Sequence, residues 1–498
     1  MEEQGAGSEE IMDNVFEVHN IVAGKPVATD TIFEKFSPVD GRLVARVHAA
    51  DAAIVDQAVQ AGQHALENSW GVMPVQRRAE VLRKIAGSIA SRADEITAAD
   101  CAETGRPEGL SRFLNTDRSA YLLRMAAEEA VTWFGESYHF TAPDGGRVLN
   151  YTNRHPRGVV GIFGPWNMPL LLTLMNVAPA LAAGNSVIVK PSEESPITAS
   201  IFAEIAHEAG LPEGALSVLQ GFGPGATGEF MTSHPGIAAY ALIGESTTGT
   251  AIMKNAAVGL RPVNFELGGK NPSIICADAD LKKAVPGTVA SCFTNSGQVC
   301  FNTERVYVHE DLFDGFMEKF TAATAGMKLG DPNDPEVKQG PLISRHHREK
   351  VITAVDRALA EGAKCWTGGS VPEFGNDFDK GAYYSPTILS GLADDSDIMT
   401  NEVFGPVCHV TTFTEIDEVV TRANNTAYGL SSSIWTQNVD TAHQLSARIR
   451  AGVNWVNCWQ MRDPRTPLAG FGMSGVGTGG GRAALEFFSQ QGIVTLKY

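Results

Sequence analysis

The sequence predicts an α/β protein with more than one domain, in which helices cover both faces of a parallel sheet. The chain has 498 residues, more than the roughly 250–300 at which a single hydrophobic core stops growing. Hydrophobic residues make up 43% and charged residues 19%, below the ~25% of average globular chains, so large cores can be filled. From residue 159 onward, short apolar segments alternate with helical ones, which is typical of parallel sheets.

The predicted elements begin with an amphipathic helix over residues 74–96. Val81, Ile85 and Ile89 recur there at i, i+4 spacing, and Pro74 suits a first helical position. The later elements follow in the order strand 159–163, helix 170–183, strand 186–189, helix 197–209, strand 216–220, strand 238–243 and helix 247–257. Ligands of such sheets bind beyond the carboxyl ends of the strands, so the residues at those ends are the first candidates for chemistry.

The charge balance argues against several partners. Lys and Arg number 39 and Asp and Glu 57, a net charge of −18, so we expect neither nucleic acid nor an anionic membrane surface as a partner. The seven cysteines form no CxxC pair and no HExxH arrangement occurs, so we expect neither a disulfide framework nor a metal site. The chain start shows no signal or transit pattern and no stretch reads as a membrane span, which predicts the cytoplasm as location.

Lys190 and Glu193 lie three residues apart, directly after the predicted strand 186–189. At the mouth of a parallel sheet, the lysine could donate to a ribose hydroxyl oxygen while the glutamate accepts from both hydroxyls. A carboxylate there would also repel a ribose 2′-phosphate, which favours NAD over NADP. The alternative is a polar turn with a solvated ion pair.

Two glycine patterns are candidates for binding a pyrophosphate. Residues 223–228 match GxGxxG between a strand and a helical stretch, but this pattern alone is weak in a chain with 51 glycines. Residues 244–249 read GxxxxG and also join a strand to a helix start, where free N–H groups attract phosphate.

Two further strand ends and one glycine turn carry polar or reactive side chains. Trp166 and Asn167 follow the strand 159–163 and would offer a ring wall and an amide donor; alternatively, Asn167 caps the next helix. Glu266 stands directly before a Gly-Gly turn. Cys300 follows a flexible glycine turn, although a lone cysteine is usually an inert small hydrophobe.

Six short motifs occur in an order that can be compared with known families. The chain contains PWNMP at 165–169, KPSE at 190–193, GxxxxG at 244–249, ELGGK at 266–270, GQVC at 297–300 and EVFGPV at 402–407. From about Asn20 to Tyr498 it resembles the aldehyde dehydrogenase superfamily. The resemblance implies a Rossmann-type NAD-binding domain (1–137 and 157–267), an α/β catalytic domain (268–467) and a small β oligomerisation element (138–156 and 484–498). A homodimer or homotetramer is implied as well.

The resemblance also implies NAD-dependent oxidation of an aldehyde. Cys300 is the implied nucleophile, Asn167 and the Cys300 N–H form the implied oxyanion hole, and Glu266 is the implied base that activates water. The turn 244–249 is then preferred for the pyrophosphate. The implied cofactor-binding residues are Phe163, Trp166, Lys190, Ser192, Glu193, Gly223, Gly244, Glu402 and Phe404.

Further residues resemble one branch of that family, the 2-hydroxymuconic and 2-aminomuconic semialdehyde dehydrogenases of aromatic ring cleavage. The shared segments are 220–224, 244–245, 298–306 and 457–462. In this branch two arginines clamp the substrate carboxylate, and Arg118 and Arg462 match them. A guanidinium fork fits a carboxylate bidentately. The alternative is that each is an ordinary surface or salt-bridged arginine.

The expected function is therefore oxidation of a carboxylate-bearing semialdehyde to the dicarboxylate. Two alternatives stay open: a CoA-acylating dehydrogenase, against which Glu266 argues because a water-activating base would hydrolyse the thioester, and a non-catalytic structural role. Residues 147–154 and 493–497 are predicted edge strands that need partners, as the oligomerisation element requires.

Overall fold

The computed structural model describes residues 15–498, which form two large helix-covered sheets and two small ones. The first large sheet runs, from edge to edge, Gly475–Val476, Val263–Glu266, Ile237–Ile243, Val159–Phe163, Ser186–Lys190, Leu216–Val218, Asn20–Val22 and Lys25–Val27. The five strands from Val263–Glu266 to Leu216–Val218 are parallel. Several are buried along their whole length, which is why they read as continuous apolar runs.

The order of these five parallel strands is that of a doubly wound sheet. The chain enters at Val159–Phe163, moves outward through Ser186–Lys190 and Leu216–Val218, and returns to the other side of the first strand with Ile237–Ile243. Ligands of such sheets bind outside the carboxyl ends of the strands, where this reversal occurs. The predicted α/β class and parallel sheet are confirmed.

The second large sheet runs Lys364–Thr367, Thr387–Ser390, Val407–Phe413, Thr303–His309, Asn271–Ile275, Ser431–Trp435 and Val453–Val456. All neighbours are parallel except the antiparallel edge strand Lys364–Thr367. Its order also reverses, between Asn271–Ile275 and Ser431–Trp435. Each large sheet therefore has one point at its strand ends where a crevice is expected.

The two small sheets have three strands each. One runs Phe16–Val18, Leu43–His48 and Ile32–Phe36; the other runs Ser489–Lys497, Arg147–Pro156 and Ser137–Thr141. The prediction that residues 147–154 form an edge strand was wrong, because Arg147–Pro156 pairs on both sides and is the central strand. The C-terminal strand is an edge, as predicted.

Helices pack on both faces of the large sheets. Their bounds are Ala52–Asn68, Val75–Ser91, Ala93–Thr104, Glu108–Arg112, Ser119–Thr132, Pro169–Ala182, Ile197–Glu208, Thr227–Ser233, Ser246–Val258, Leu281–Phe293, Phe313–Ala325, Arg345–Ala360, Asp397–Thr400, Ile416–Asn424, Val439–Arg448 and Gly481–Phe487. Short 3₁₀ turns span Thr294–Gly297, Glu310–Leu312, Asp377–Lys380 and Gly472–Ser474, and a π-helical turn spans Phe113–Arg118. Within residues 15–498, none of these helices combines the length and apolar character that crossing a bilayer requires.

The first predicted helix is broken. Residues 74–96 were expected to form one helix, but the helix Val75–Ser91 ends at Arg92 and a second begins at Ala93. The Arg92 backbone leaves the helical region, at φ −106° and ψ 27°, and its guanidinium pairs with Glu95 at 2.6 Å. The apolar spacing continues across this break, so it could not reveal the two helices.

Candidate active site

Loops that follow strands of the first large sheet meet loops that lead into strands of the second. The Asn167 side chain donates to the Gln298 carbonyl oxygen at 2.9 Å, and the Gly269 N–H donates to Oε1 of Glu402 at 2.9 Å. These contacts join the loops that follow two strands of the first sheet to two loops of the second. The candidate site lies between them.

A left-handed turn presents Cys300. Asn295, Ser296 and Gly297 have φ values of 55°, 57° and 72°. These values lie in the left-handed region, which residues other than glycine and asparagine seldom adopt. A β-carbon at Gly297 would collide with the carbonyl oxygen of Gly405, so only glycine permits this approach to the 402–407 loop. The turn leaves Cys300 partly exposed, whereas Cys292 and Cys408 are buried.

Opposing influences act on the Cys300 thiol. Burial raises its pKa above the ordinary value, and the carboxylates of Glu266 and Glu402 raise it further. The main-chain N–H groups of Phe301 and Cys300 lie against the sulfur and lower the pKa, because they stabilise the thiolate. The Cys300 carbonyl oxygen accepts a hydrogen bond from the Asn271 side chain at 2.7 Å, which fixes the backbone beneath the sulfur.

Asn167 is held from both ends. Its side-chain amide contacts the Cys300 loop through Gln298, as described above. Its carbonyl oxygen accepts from the guanidinium of Arg106 and from the Asn295 side chain, the latter at 3.1 Å. Arg106 also donates to Asn295 Oδ1 at 3.1 Å and pairs with buried Asp100 at 2.6 Å. One buried guanidinium therefore fixes Asn167 relative to the turn that presents Cys300.

Glu266 ends the strand Val263–Glu266 and is 9% exposed. Burial raises its pKa to about 8, and the positive charge of Arg462 opposes this rise. Arg462 interacts electrostatically with both Glu266 and Cys300, so the three groups lie near one another. A carboxyl group with a pKa near neutrality, close to a thiol, can exchange protons at physiological pH.

The structure brings Arg118 and Arg462 together. Arg118 ends the π-helical turn, a feature frequently found at functional sites. Burial lowers the pKa of Arg462 and the nearby charge of Arg118 lowers it further. Within residues 15–498 neither guanidinium lies within 4 Å of a carboxylate, and Arg462 donates only to the Thr466 carbonyl oxygen, at 2.9 Å. Two nearby guanidinium groups without a carboxylate partner favour a negatively charged ligand.

Three rings form a wall where the two sheets meet. The Trp166 indole lies edge-on to Phe404 at 5.3 Å and to His347 at 5.5 Å between ring centroids. His347 Nε2 donates to the Phe404 carbonyl oxygen at 2.8 Å, and burial lowers the His347 pKa, which favours the neutral ring. Phe404 itself has φ 56°, which is unusual for a bulky residue.

The residues after Ser186–Lys190 form a tight turn. Lys190 is 6% exposed; its Nζ donates to the Pro191 carbonyl oxygen at 2.9 Å and lies 3.5 Å from Glu193. Burial lowers the Lys190 pKa, an effect that Glu193 opposes. The Ser192 hydroxyl accepts from the Glu194 N–H at 3.2 Å. Lys190 is buried and Glu193 is 39% exposed, so one partner of this ion pair is shielded from water. In the alternative, both partners are solvated.

The two glycine turns differ in their free donors. The helix Ser246–Val258 begins after exposed Glu245, whose side chain makes no capping bond, so main-chain N–H groups at this helix start stay available. In the other turn, the Gly225 N–H already donates to the Glu229 carboxylate at 2.7 Å. In the 223–228 turn a phosphate would therefore meet a donor that is already bound to a carboxylate, whereas the start of Ser246–Val258 offers free donors beside the exposed Glu245 carboxylate.

Three predicted cofactor residues are placed as follows. A β-carbon at Gly223 would face open space, whereas the Gly244 N–H donates to the Glu266 carbonyl oxygen at 3.0 Å. The Phe163 ring packs into the core near Tyr240, with a centroid distance of 6.4 Å. Phe163 could therefore approach a ligand through its main chain, while its ring supports the sheet.

The Glu402 carboxylate lies against the Gly268–Gly269 turn. A β-carbon at Gly268 would collide with Glu402 Oε2. Burial raises the Glu402 pKa to about 8, and the Glu304 carboxylate raises it further. Glu304 is paired with Lys270 and accepts from the N–H groups of the 402–404 loop.

Sequence reasoning missed four residues of this region: Arg106, Lys270, Glu304 and His347. A signal was present for Glu304, because the strand Thr303–His309 contains an apolar run and has a Glu-Arg pair directly before that run. A charged residue in a buried strand must find a partner. No such signal marks Arg106 or His347, whose partners lie far away in sequence.

A cluster outside the site was also not foreseen. Glu17, His19 and His48 have potential ligand atoms within 4.8 Å of one another, across the parallel strands Phe16–Val18 and Leu43–His48. The expectation of no metal site rested on sequence spacing alone, which cannot show such a cross-strand group. His48 Nε2 already lies 2.8 Å from Glu17 Oε1.

A doubly wound sheet that faces a thiol, a buried carboxylate and an amide donor defines the class of nucleotide-dependent oxidoreductases. Residues 26–494 match the model of the aldehyde dehydrogenase family, and the chain belongs to that family.

Individual relatives are similar over nearly the whole chain. A 2-hydroxymuconic semialdehyde dehydrogenase of Pseudomonas sp. (strain CF600) is 45% identical over 463 residues, 93% of this chain and 95% of that protein. A 2-aminomuconic semialdehyde dehydrogenase of Homo sapiens is 35% identical over 483 residues, 97% and 98% of the two chains. An NAD⁺ complex of an aldehyde dehydrogenase from Bacillus cereus matches with a TM-score of 0.94 and 31% identity, covering 99% of each chain.

Proposed function

We propose that the protein is an NAD-dependent dehydrogenase that oxidises a carboxylate-bearing semialdehyde, of the 2-hydroxymuconic type, to the dicarboxylate. The observation that carries this proposal is the pair Arg118 and Arg462, which approach each other without a carboxylate partner, next to Glu266 and Cys300. The names of the similar relatives agree with such a substrate.

The cleft fits a dinucleotide. Free N–H groups at the start of Ser246–Val258 would hold the pyrophosphate, and Lys190 with half-exposed Glu193 would hold a ribose diol. Trp166 would line the adenosine half together with Lys190 and Glu193, and Glu402, which accepts from the Gly269 N–H, would bind the nicotinamide ribose. When bound, NAD supplies the acceptor for a hydride. The Glu193 carboxylate disfavours a 2′-phosphate at the ribose, so we expect a preference over NADP.

The covalent step uses Cys300. Its thiol loses a proton to solvent, and the thiolate forms a carbon–sulfur bond with the aldehyde carbon as the carbonyl π bond breaks, which places negative charge on the former carbonyl oxygen. The Asn167 amide and the Cys300 N–H would stabilise that oxygen. The main-chain N–H groups beside the sulfur only partly oppose burial, which raises the pKa of the thiol. Loss of hydride from the same carbon leaves a thioester on Cys300.

The second step hydrolyses this thioester. Glu266 takes a proton from water, the resulting hydroxide adds to the acyl carbon, and the carbon–sulfur bond breaks to release a carboxylic acid and the Cys300 thiolate. The acid ionises to the carboxylate product, and Glu266 returns its proton to solvent. A pKa of about 8 suits this role, because the carboxylate is a stronger base than an ordinary glutamate. Arg118 and Arg462 would hold the distant carboxylate of the substrate and so fix the orientation of its aldehyde.

The small sheet Ser489–Lys497, Arg147–Pro156 and Ser137–Thr141 is the proposed oligomerisation element. Its C-terminal edge strand leaves Ile493 72% and Leu496 51% exposed. An open edge with apolar side chains suits pairing with a second copy, so we propose a homodimer or homotetramer. The reduced state of all seven cysteines agrees with the cytoplasm, which we propose as the place of action.

The test is steady-state NAD reduction with a panel of aldehydes that differ in chain length and in the presence of a carboxylate. Cys300→Ala should lower turnover of a muconic-type semialdehyde by at least about 10⁴-fold, since the covalent step is lost. Cys365→Ala is the matched control, because this exposed thiol lies on an edge strand and should leave turnover unchanged. Undiminished activity in Cys300→Ala would refute the proposal, and faster turnover with CoA to give acyl-CoA would replace hydrolysis by transfer.

A further inference from the structure

The Phe404 backbone is held in a strained conformation by bonds at both of its ends. A bulky residue with φ 56° persists only where the surroundings fix it, and such residues cluster at ligand clamps. The Phe404 N–H donates to Glu304 Oε1 at 2.9 Å, and its carbonyl oxygen accepts from His347 at 2.8 Å. Glu304 therefore supplies one of the two bonds that hold this strained residue.

Glu304 binds two loops at once. Its carboxylate accepts from the Val403 N–H at 3.0 Å as well as from Phe404. The same carboxylate forms an ion pair with Lys270, and the exposed fractions of the two side chains are 4% and 1%. Lys270 ends the loop that begins with Glu266, while Val403 and Phe404 follow Glu402. The ion pair thus connects the 266–270 loop, which carries the proposed base, to the 402–404 loop, which borders the proposed cofactor site.

Stability alone does not account for this pair. Replacing a buried ion pair by apolar side chains of similar volume is often neutral or stabilising, because two charges must be taken out of water. Here the carboxylate satisfies two main-chain N–H groups that would otherwise lack a protein partner in a partly buried loop. The Gly269 N–H donates to Glu402 between the same two loops, so a displaced 402–404 loop would also move the Glu402 carboxylate.

We propose that Glu304, together with Lys270, is a positioning residue: it sets the 402–404 loop so that Glu402 and the Phe404 ring meet the nicotinamide half of the cofactor in the reactive geometry. This inference rests on the proposed function, because it assigns the loop to the NAD site. Glu304 touches neither substrate nor cofactor and acts through Glu402 and Phe404.

Glu304→Gln tests the inference with little change of volume. The amide keeps one acceptor oxygen but cannot bind two N–H groups and Lys270 as a carboxylate does. Direct NAD binding, followed by quenching of tryptophan fluorescence, should weaken about tenfold, and the KM for NAD should rise more than the KM for the aldehyde. Alkylation of Cys300 by iodoacetamide should keep its rate, which reports that the nucleophile loop is intact.

Two further variants keep the test decisive. Glu304→Gln with Lys270→Met removes both charges, so a buried unpaired ammonium cannot unfold the protein, and it should show the same loss of NAD affinity. Asp394→Asn is the matched control, because it breaks the Arg422–Asp394 pair elsewhere in the catalytic sheet and should leave NAD affinity unchanged. Wild-type protein that fails to bind NAD would contradict the proposed function; wild-type binding with unchanged affinity in Glu304→Gln would overturn this inference alone.

Discussion

The charged groups that face the candidate site differ from those one layer behind it. In front, Glu266, Arg118 and Arg462 interact only at a distance, with no ion pair among them. Behind, Arg106 pairs with Asp100 at 2.6 Å, and Lys270 pairs with Glu304. The front groups are incompletely satisfied and the rear groups are bound on several sides.

This difference separates two tasks. An unpaired charge in a buried place costs free energy, and the raised pKa of Glu266 shows that the protein bears such a cost in front. Groups that must later meet a proton or a substrate carboxylate have to remain unpaired until then. Arg106 and Glu304, which belong to the rear pairs, form hydrogen bonds with the main chain of Asn167, Val403 and Phe404. These bonds fix the positions of the groups in front.

Among the charged groups of the two layers, Glu266→Gln should give the largest effect on turnover. We expect a loss of about 10²–10⁴-fold, because general-base catalysis of thioester hydrolysis is removed while the thiol remains. Rapid mixing should then show a burst of about one NADH per active site followed by slow turnover. If the burst were reduced as much as the steady-state rate, Glu266 would act before the thioester forms. Its assignment as the base of the hydrolysis step would then be wrong.

Arg106→Met compares a rear arginine with one in front. It should lower the free energy of unfolding by about 3–5 kcal/mol, because buried Asp100 is left without its partner. Arg462→Met should change it by only about 1 kcal/mol, since it loses a single hydrogen bond to a carbonyl oxygen. Urea unfolding of the two variants side by side measures the difference, and equal losses would show that Arg462 also belongs to the supporting layer.

The sequence predicted the sheet better than the supporting layer. The strand Val159–Phe163 was predicted with its observed bounds, and Ser186–Lys190 extends the prediction by one residue. Fully buried parallel strands leave an unbroken apolar run with turn residues at both ends, so local pattern suffices. The central position of Arg147–Pro156 could not be read in this way, because pairing on both sides depends on strands that are distant in sequence.

The same reason divides the residues of the site. Glu266 and Asn167 stand in recognisable segments after strands and Cys300 in a recognisable segment after a glycine turn, and the structure brings the three into one region. Arg106 lies 61 residues from its partner Asn167 and 189 from Asn295. Its contacts follow from the docking of the two large sheets, which no local spacing encodes.

Arg462→Ala should raise the KM for carboxylate-bearing semialdehydes about tenfold or more, because a charge-assisted contact worth ~1.5–3 kcal/mol is lost. Neutral aldehydes should be nearly unaffected, so the ratio of the two KM values is the measurement. An equal rise of KM for both classes of aldehyde would show that Arg462 does not bind the substrate carboxylate and that it supports the pocket in general.

The smallest expected effect is on the pH dependence of thioester hydrolysis. Glu266 acts when ionised, so with a pKa of about 8 the single-turnover rate should rise about fivefold between pH 7 and 8 and level off above pH 9. The charge of Arg462 lowers the Glu266 pKa, so Arg462→Ala should move this limb to higher pH. If the rate rose at the same pH in Arg462→Ala as in the wild type, Glu266 and Arg462 would be electrostatically independent. The front layer would then be two separate sites rather than one.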